Sequence, residues 1–145
     1  MSHSKTQPAQ PEHYSVPFAG AWQLGQPLPK LQPSKTVQMI DVPTSIMLRE
    51  RVADFYAVQV QGDAPDMLVA DKDVLLVRET TEWNDGQMLL VRVAGEDFLI
   101  GAQLWREGDQ IRLQPARAGC WVRRVSADEV AVDALVIAVI RRMTE

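Results

Sequence analysis

The sequence holds 145 residues, of which 46% are hydrophobic and 23% are charged, a composition typical of one soluble globular domain with its own core. Its formal net charge of −4 excludes a general electrostatic attraction to nucleic acid. A single cysteine, Cys120, excludes an internal disulfide and a cysteine-rich zinc site, and no apolar run reaches the ~20 residues of a membrane span. We therefore expect a cytoplasmic protein that does not bind a membrane.

Changes in composition divide the chain into three parts. Residues 1–14 are polar and Pro/Gln-rich, and we expect a disordered tail there. Residues 15–35, called the arm below, place large apolar side chains between prolines and glycines, which favours an extended segment lying across the domain. Residues 36–145 form the predicted domain. Both histidines, His3 and His13, lie in the tail, so no histidine-based catalytic or metal site is expected inside the fold.

Short apolar segments separated by Gly/Asp turns recur along residues 36–145, at the roughly 8–12-residue spacing of an all-β domain. The predicted strands cover residues 36–42, 54–61, 74–78, 87–93, 98–105, 110–114, 121–125 and 130–142, and residues 44–51 form a helical turn or a loop. No helix-turn-helix pattern appears, so direct DNA binding by this chain alone is not expected.

The most informative stretch is a sharp corner between two predicted strands. The first strand ends at Gly62-Asp63-Ala64, and Asp71-Lys72-Asp73 opens the next one. A glycine followed by an aspartate marks a tight exit at which a side chain can be presented outward. Corners of this kind often carry a nucleophile, but here the presented residue is Ala64, which has no functional group.

Five motifs share a family likeness. They are Gly62-Asp63-Ala64, Asp71 to Val77, Asn84-Asp85-Gly86-Gln87, Leu104 to Pro115, and the last strand Val130 to Arg142. In this order they resemble the serine–lysine self-cleaving domain of the LexA repressor and of UmuD, a peptidase family. No single motif is specific to this family, but the occurrence of all five in this order is. The resemblance implies a LexA/UmuD-like β-rich domain with an extended N-terminal arm.

The resemblance also implies two catalytic positions, and this chain has alanine at both. The family pattern places a nucleophilic serine at Ala64 and a lysine base at Ala102, and an offset of one residue, onto Gly101, supplies no lysine either. A serine hydroxyl requires a positioned base to attack an amide, and alanine can be neither. Asp63 and Asp66 are interpreted as turn-forming residues. We therefore expect a pseudo-peptidase that needs no metal or other cofactor.

The arm resembles the segment that these proteins present to their own active site. The family is cut before a glycine, and the matching bond in this chain is Leu24–Gly25. The family usually has a small residue where this chain has Leu24. We expect the arm to dock in the vacated site with Leu24 near Ala64, because an undocked arm would expose Phe18, Trp22 and Leu24 together.

The last strand is the most apolar segment of the chain. A terminal apolar strand is an exposed edge unless another strand pairs with it. The resemblance implies dimerisation through this strand, as a homodimer or as a heterodimer with a LexA/UmuD-like relative. The residues predicted for the interface are Leu135, Val136, Ile137, Val139 and Ile140.

Together these observations predict an inactive LexA/UmuD-like domain that acts as a dimerising regulatory or binding protein in the SOS (DNA-damage) or prophage-type response, with a DNA-damage-response protein as a candidate partner. Two alternatives stay open. One is a UmuD-like accessory subunit of a translesion DNA polymerase. The other is an active serine–lysine self-cleaving peptidase in which Ala64 and Ala102 are engineered changes; Pro65, where the family usually has methionine, argues against it.

Overall fold

The computed structural model describes residues 13–31, 37–43, 55–117 and 119–141, which form one nine-stranded sheet. Its strands are β1 (His13–Trp22), β2 (Met39–Pro43), β3 (Tyr56–Val60), β4 (Val74–Glu79), β5 (Met88–Val93), β6 (Leu99–Glu107), β7 (Gln110–Gln114), β8 (Arg123–Ser126) and β9 (Val130–Ile140). Their order across the sheet is β2-β1-β3-β4-β9-β5-β6-β7-β8. Neighbouring strands are antiparallel except β1 and β3, which run parallel.

The predicted all-β class is confirmed. The only helical elements among the described residues are two 3₁₀ turns, Pro65–Met67 and Ala127–Glu129. Accordingly, no helix in the described part of the chain is long and apolar enough to cross a membrane. The predicted element at residues 44–51 and residues 1–12 of the predicted tail lie outside the described residues, and β1 already begins at His13.

Apolar side chains pack on both faces of the sheet. One face, the corner face, carries a cluster around Leu75, Leu90 and Leu99. The opposite face, the back face, carries Leu89, Val91, Ala102, Leu104 and Leu113. The pairing of β5 with β6 separates the two sets, because Leu90 lies opposite Gly101 whereas Leu89 lies opposite Ala102. Successive residues of a strand point to opposite faces, so each pair occupies one face only.

The N-terminal half of the arm is a strand of this sheet. β1 pairs with β2 on one side and with β3 on the other, and its Phe18 lies opposite Ala57. The strand ends at Trp22, which is buried, and the Trp22 Nε1–H donates to the Gln26 carbonyl oxygen at 2.8 Å. This bond turns the chain across the corner face.

The last strand, β9, lies inside the sheet, which corrects the prediction of an unpaired edge. Its first half pairs with β5 and its second half pairs with β4. Leu135 and Val136 are consequently buried in the core of the chain itself. A continuous apolar run is typical of a strand buried on both faces, and the side chains of β9 pack into the clusters on both faces of the sheet. Beyond Leu135, however, no described strand pairs with the β5 side of β9.

Candidate functional site

The corner between β3 and β4 is held by reciprocal side-chain bonds. The Gly62 N–H donates to Asp71 Oδ1 at 2.7 Å, and the Asp71 N–H donates to Asp63 Oδ1 at 2.9 Å. Gly62 has a φ of +82°, a conformation that glycine adopts without the strain of a Cβ. Ala64 and Val69 then exchange two backbone hydrogen bonds, of 2.8 and 3.1 Å. The turn-forming role predicted for Asp63 is confirmed, and residue 64 is held in a fixed place.

Ala64 points inward, so the prediction that this corner presents its side chain outward is wrong. The residue is 2% exposed and belongs to the corner-face cluster with Met67, Val69 and Leu99. A methyl group gains free energy by leaving water, and the chain turns it into the core accordingly. The position is buried and carries no polar group.

The structure does not bring Ala64 and Ala102 together. Ala102 is fully buried on the back face beside Leu104, whereas Ala64 belongs to the corner face. On β6 it is Gly101, the neighbour of Ala102, that faces the corner side, opposite Leu90. The offset position, Gly101, is therefore the one that faces the corner, and it supplies no side chain.

Met67 fills the space into which a side chain at position 101 would project. A Cβ placed on Gly101 would lie 2.7 Å from both Cγ and Cε of Met67, well inside the ~3.5–4.0 Å of a favourable carbon–carbon contact. Met67 is 4% exposed and sits in the 3₁₀ turn that follows Ala64. Sequence reasoning missed this contact; the glycine at position 101, which leaves room for a neighbouring side chain, is the signal that points to it.

The arm lies across this filled site. The Trp22 carbonyl oxygen accepts a 2.8 Å hydrogen bond from the Gln61 N–H, and the Gly25 carbonyl oxygen accepts one of 3.1 Å from the Leu99 N–H. Between these two anchors, Leu24 packs against the cluster that contains Ala64. The bond Leu24–Gly25 is thus held over the corner by backbone pairing on both sides.

No described serine or lysine replaces the missing pair. The lysines among the described residues are Lys30 and Lys72, both exposed, and the serines are Ser15 and Ser126. None of the four lines the cavity beside Leu24, Asp66 and Gly101, and Lys72 lines a separate cavity with Phe18. The described residues also contain no group of His, Cys, Asp and Glu side chains that could hold a metal ion.

Asp66 anchors the loop between β7 and β8, a role that the turn-forming interpretation missed. Its Oδ2 accepts a 3.1 Å hydrogen bond from Trp121 Nε1, and its backbone oxygen accepts one of 3.1 Å from the Arg117 N–H. The Cys120 thiol lies 3.7 Å from its Oδ1. These partners lie more than 50 residues away in sequence, where local patterns give no signal.

The fold and the corner define a known class of protein, and comparison with known sequences agrees. Residues 17–137 match the family model described as Peptidase S24-like, and the chain belongs to this family. Among its relatives, the LexA repressor of Roseiflexus sp. (strain RS-1) is 35% identical over 131 residues, covering 88% of this chain and 60% of the relative. The LexA repressor of Herpetosiphon aurantiacus is 32% identical over 130 residues, covering 88% and 61%.

The LexA-like resemblance read from the sequence is therefore confirmed. A third relative, the LexA repressor of Koribacter versatilis, is 30% identical over 128 residues, with 88% of this chain and 57% of the relative covered. The chain spans about 60% of the length of these repressors.

Proposed function

We propose that this chain is a cleavage-incompetent, LexA-like protein that acts in the cytoplasm as a dimerising regulatory subunit of the SOS (DNA-damage) or prophage-type response. The observation that carries the proposal is the filled corner. Ala64 stands where the family's nucleophile is expected, and Met67 occupies the space in front of Gly101. A protein that keeps the shape of this site without its reactive groups can still act by binding a partner.

The chemistry of amide hydrolysis supports inactivity. A hydroxyl must be activated by an adjacent base before it can attack a carbonyl carbon, and a lysine serves as that base only when burial lowers its pKa from about 10.4 toward neutrality. In a comparable hydrolase, loss of the nucleophile alone lowers turnover by about 10⁶. Position 64 carries only a methyl group and position 101 only a hydrogen, so these positions supply neither the nucleophile nor the base.

The docked arm has a structural role at the inactive site. Leu24 covers part of the corner-face cluster, and the hydrogen bonds at Trp22 and Gly25 hold the arm in place. In a self-cleaving relative the corresponding segment would be consumed by the reaction. Here the arm stays attached, so the corner face keeps one constant shape for a partner.

Dimerisation is proposed through the second half of β9. Val139 is 44% exposed and Ile137 and Ile140 are half-buried, next to a strand edge that no described strand occupies. Leu135 and Val136 support this edge from inside the core. An identical strand from a second copy, or from a LexA/UmuD-like relative, would pair with the edge and cover these side chains.

Sedimentation equilibrium tests the binding part of the proposal. The wild-type chain should self-associate with increasing concentration, and Val139→Glu should shift the equilibrium strongly to monomer because a carboxylate would be buried at the interface. Met39→Glu is the matched control, since Met39 is 49% exposed on β2, which three strands separate from β9. A wild-type chain that remains monomeric, and that also fails to join a LexA-like relative, would rule out this interface.

A further inference from the structure

The second half of β9 depends on β4 to hold it in the sheet. β5 pairs with β9 up to Leu135, and from there β4 alone among the described strands continues the pairing. A register shift at Ile137 interrupts this pairing, and such a bulge bends the strand that carries it. Past the bulge the pairing is short and ends with Val74 opposite Ile140. A short end segment of this kind opens readily unless further contacts close it.

An ion pair closes this segment at the next residue of each strand. Asp73 precedes Val74 and Arg141 follows Ile140, so the two residues extend the same pairing by one position. Arg141 Nε donates to Asp73 Oδ1 at 2.9 Å, and its Nη2 donates to Oδ2 at 2.8 Å. Two parallel bonds between a guanidinium group and a carboxylate fix direction as well as distance. We call this ion pair the clasp.

The two sides of the clasp differ in burial. The Asp73 carboxylate is 2% exposed, whereas the Arg141 side chain is 54% exposed. A carboxylate that has lost its water requires a charged partner in the same place, so Asp73 fixes where the Arg141 guanidinium lies. Buried ion pairs contribute little net stability, and their best-attested use is to specify one register. The clasp therefore has the character of a positioning contact.

The same carboxylate also belongs to the corner. Asp73 Oδ2 accepts a 2.8 Å hydrogen bond from the Ala70 N–H, and the Asp73 N–H donates to the Ala70 carbonyl oxygen at 3.1 Å. The Asp73 carbonyl oxygen accepts a 2.8 Å bond from the Val60 N–H. The next residue, Gln61, donates its N–H to Trp22 of the arm. Hydrogen bonds and short stretches of backbone thus connect the docked arm, the corner and the end of β9.

We propose that Asp73 is a positioning residue for the dimer edge: through the clasp it holds the second half of β9 in the extended form that a second strand requires, and it makes that form depend on the corner. The inference rests on the proposed dimerisation and adds how the edge is prepared for it. An edge that is already ordered loses less conformational entropy when a second strand pairs with it, so association is stronger. A hydrogen-bond network that joins packed elements carries a change at one end to the other.

Sedimentation equilibrium of the full-length chain tests the positioning role. Asp73→Asn and Arg141→Gln should each weaken self-association by about tenfold. The double variant should be no weaker than either single one, because both substitutions remove the same contact. Arg92→Gln is the matched control, since it breaks the ion pair with Asp133 on the first half of β9, and it should associate like the wild type. If the wild type joins only a LexA-like relative, the same comparison is made on that complex.

A second control separates positioning from a general loss of stability. Ile111→Val shortens a buried side chain on β7, which β5 and β6 separate from β9, and it should leave association unchanged. All variants are compared at neutral pH, where circular dichroism verifies that each is folded. Arg141→Gln carries the test if Asp73→Asn does not fold, because the Arg141 side chain lies at the surface.

Amide hydrogen exchange tests the link to the corner. In Arg141→Gln the Ala70 N–H should exchange several-fold faster than in the wild type, whereas in Arg92→Gln it should keep the wild-type rate. An unchanged rate at Ala70 in Arg141→Gln would overturn the link.

The association data decide the rest. Wild-type association in both clasp variants would overturn the positioning role alone, and so would equal weakening in Arg92→Gln or Ile111→Val. A wild-type chain that neither self-associates nor joins a LexA-like relative would refute the proposed interface, and the positioning role with it.

Discussion

The contact between Met67 and Gly101 predicts that substitutions at these two positions are coupled. Adding a methyl group with Gly101→Ala places a carbon 2.7 Å from Cγ and Cε of Met67. Met67 must then leave its place, an overpacking cost of about 1–3 kcal/mol. Met67→Ala alone removes a side chain that is 4% exposed, and such truncations cost about 2–5 kcal/mol.

In the double variant the added methyl group enters the space left by the methionine side chain. We expect its loss of unfolding free energy to be smaller than the sum of the single losses by about 1–2 kcal/mol, within the range measured for residues in contact. Urea unfolding monitored by circular dichroism, at one protein concentration, measures the three values. Ala102→Gly combined with Met67→Ala is the control, because Ala102 lies on the back face; that pair should be additive within about 0.5 kcal/mol. Additivity at position 101 with coupling at position 102 would refute the placement of Gly101 opposite the corner.

Three further predictions concern titration and the anchored loop. Asp73 is 2% exposed and accepts hydrogen bonds of 2.9 and 2.8 Å from Arg141, which, with the Ala70 N–H, hold its pKa below the ordinary value. Because the pKa of Asp73 is lower in the folded protein than in the unfolded chain, the Asp73–Arg141 pair stabilises the fold above about pH 4, and this stabilisation is lost on acidification. Asp73→Asn should lower the free energy of unfolding by about 1–3 kcal/mol at neutral pH, and it should make stability depend less on pH in the acid range. Burial, together with the nearby Glu79 carboxylate, raises the pKa of Tyr56 to about 12, so stability should fall as the pH rises from about 10 toward 12, and Tyr56→Phe should remove that loss. Asp66→Ala removes the acceptor of the Trp121 indole N–H, so exchange of that N–H should become faster while β5 and β9 keep their protection. Unchanged exchange of the Trp121 indole N–H would show that the Asp66 carboxylate does not hold the loop.

Local chemistry made most of the sheet predictable. The segment from Gln110 to Gln114 alternates apolar and polar side chains between two turns, and the strand has these bounds. Gly62 and Asp63 marked the corner because a tight turn requires their conformational freedom and side-chain bonding. The predicted strand ends also lie close to the observed ones wherever a glycine or aspartate ends the strand.

Placement across the sheet was harder to predict, since sequence spacing does not reveal which strands become neighbours. The apolar run of β9 suggested a free edge, yet the strand lies between β4 and β5. The same difficulty affected the second catalytic position. Choosing between Gly101 and Ala102 requires the register of β6 against β5, and a shift of one residue moves a side chain to the opposite face. Asp66 was read as a local turn residue because its partner Trp121 is distant in sequence.

The central claim is that the site retains its shape but has no reactive groups. Intact-mass spectrometry of the purified chain, incubated at alkaline pH where any lysine base would be deprotonated, tests this directly. A self-cleaving LexA repressor such as a full-length relative serves as the positive control under the same conditions. We predict that the chain keeps its full mass while the control is cleaved. A fragment beginning at Gly25 would contradict the account.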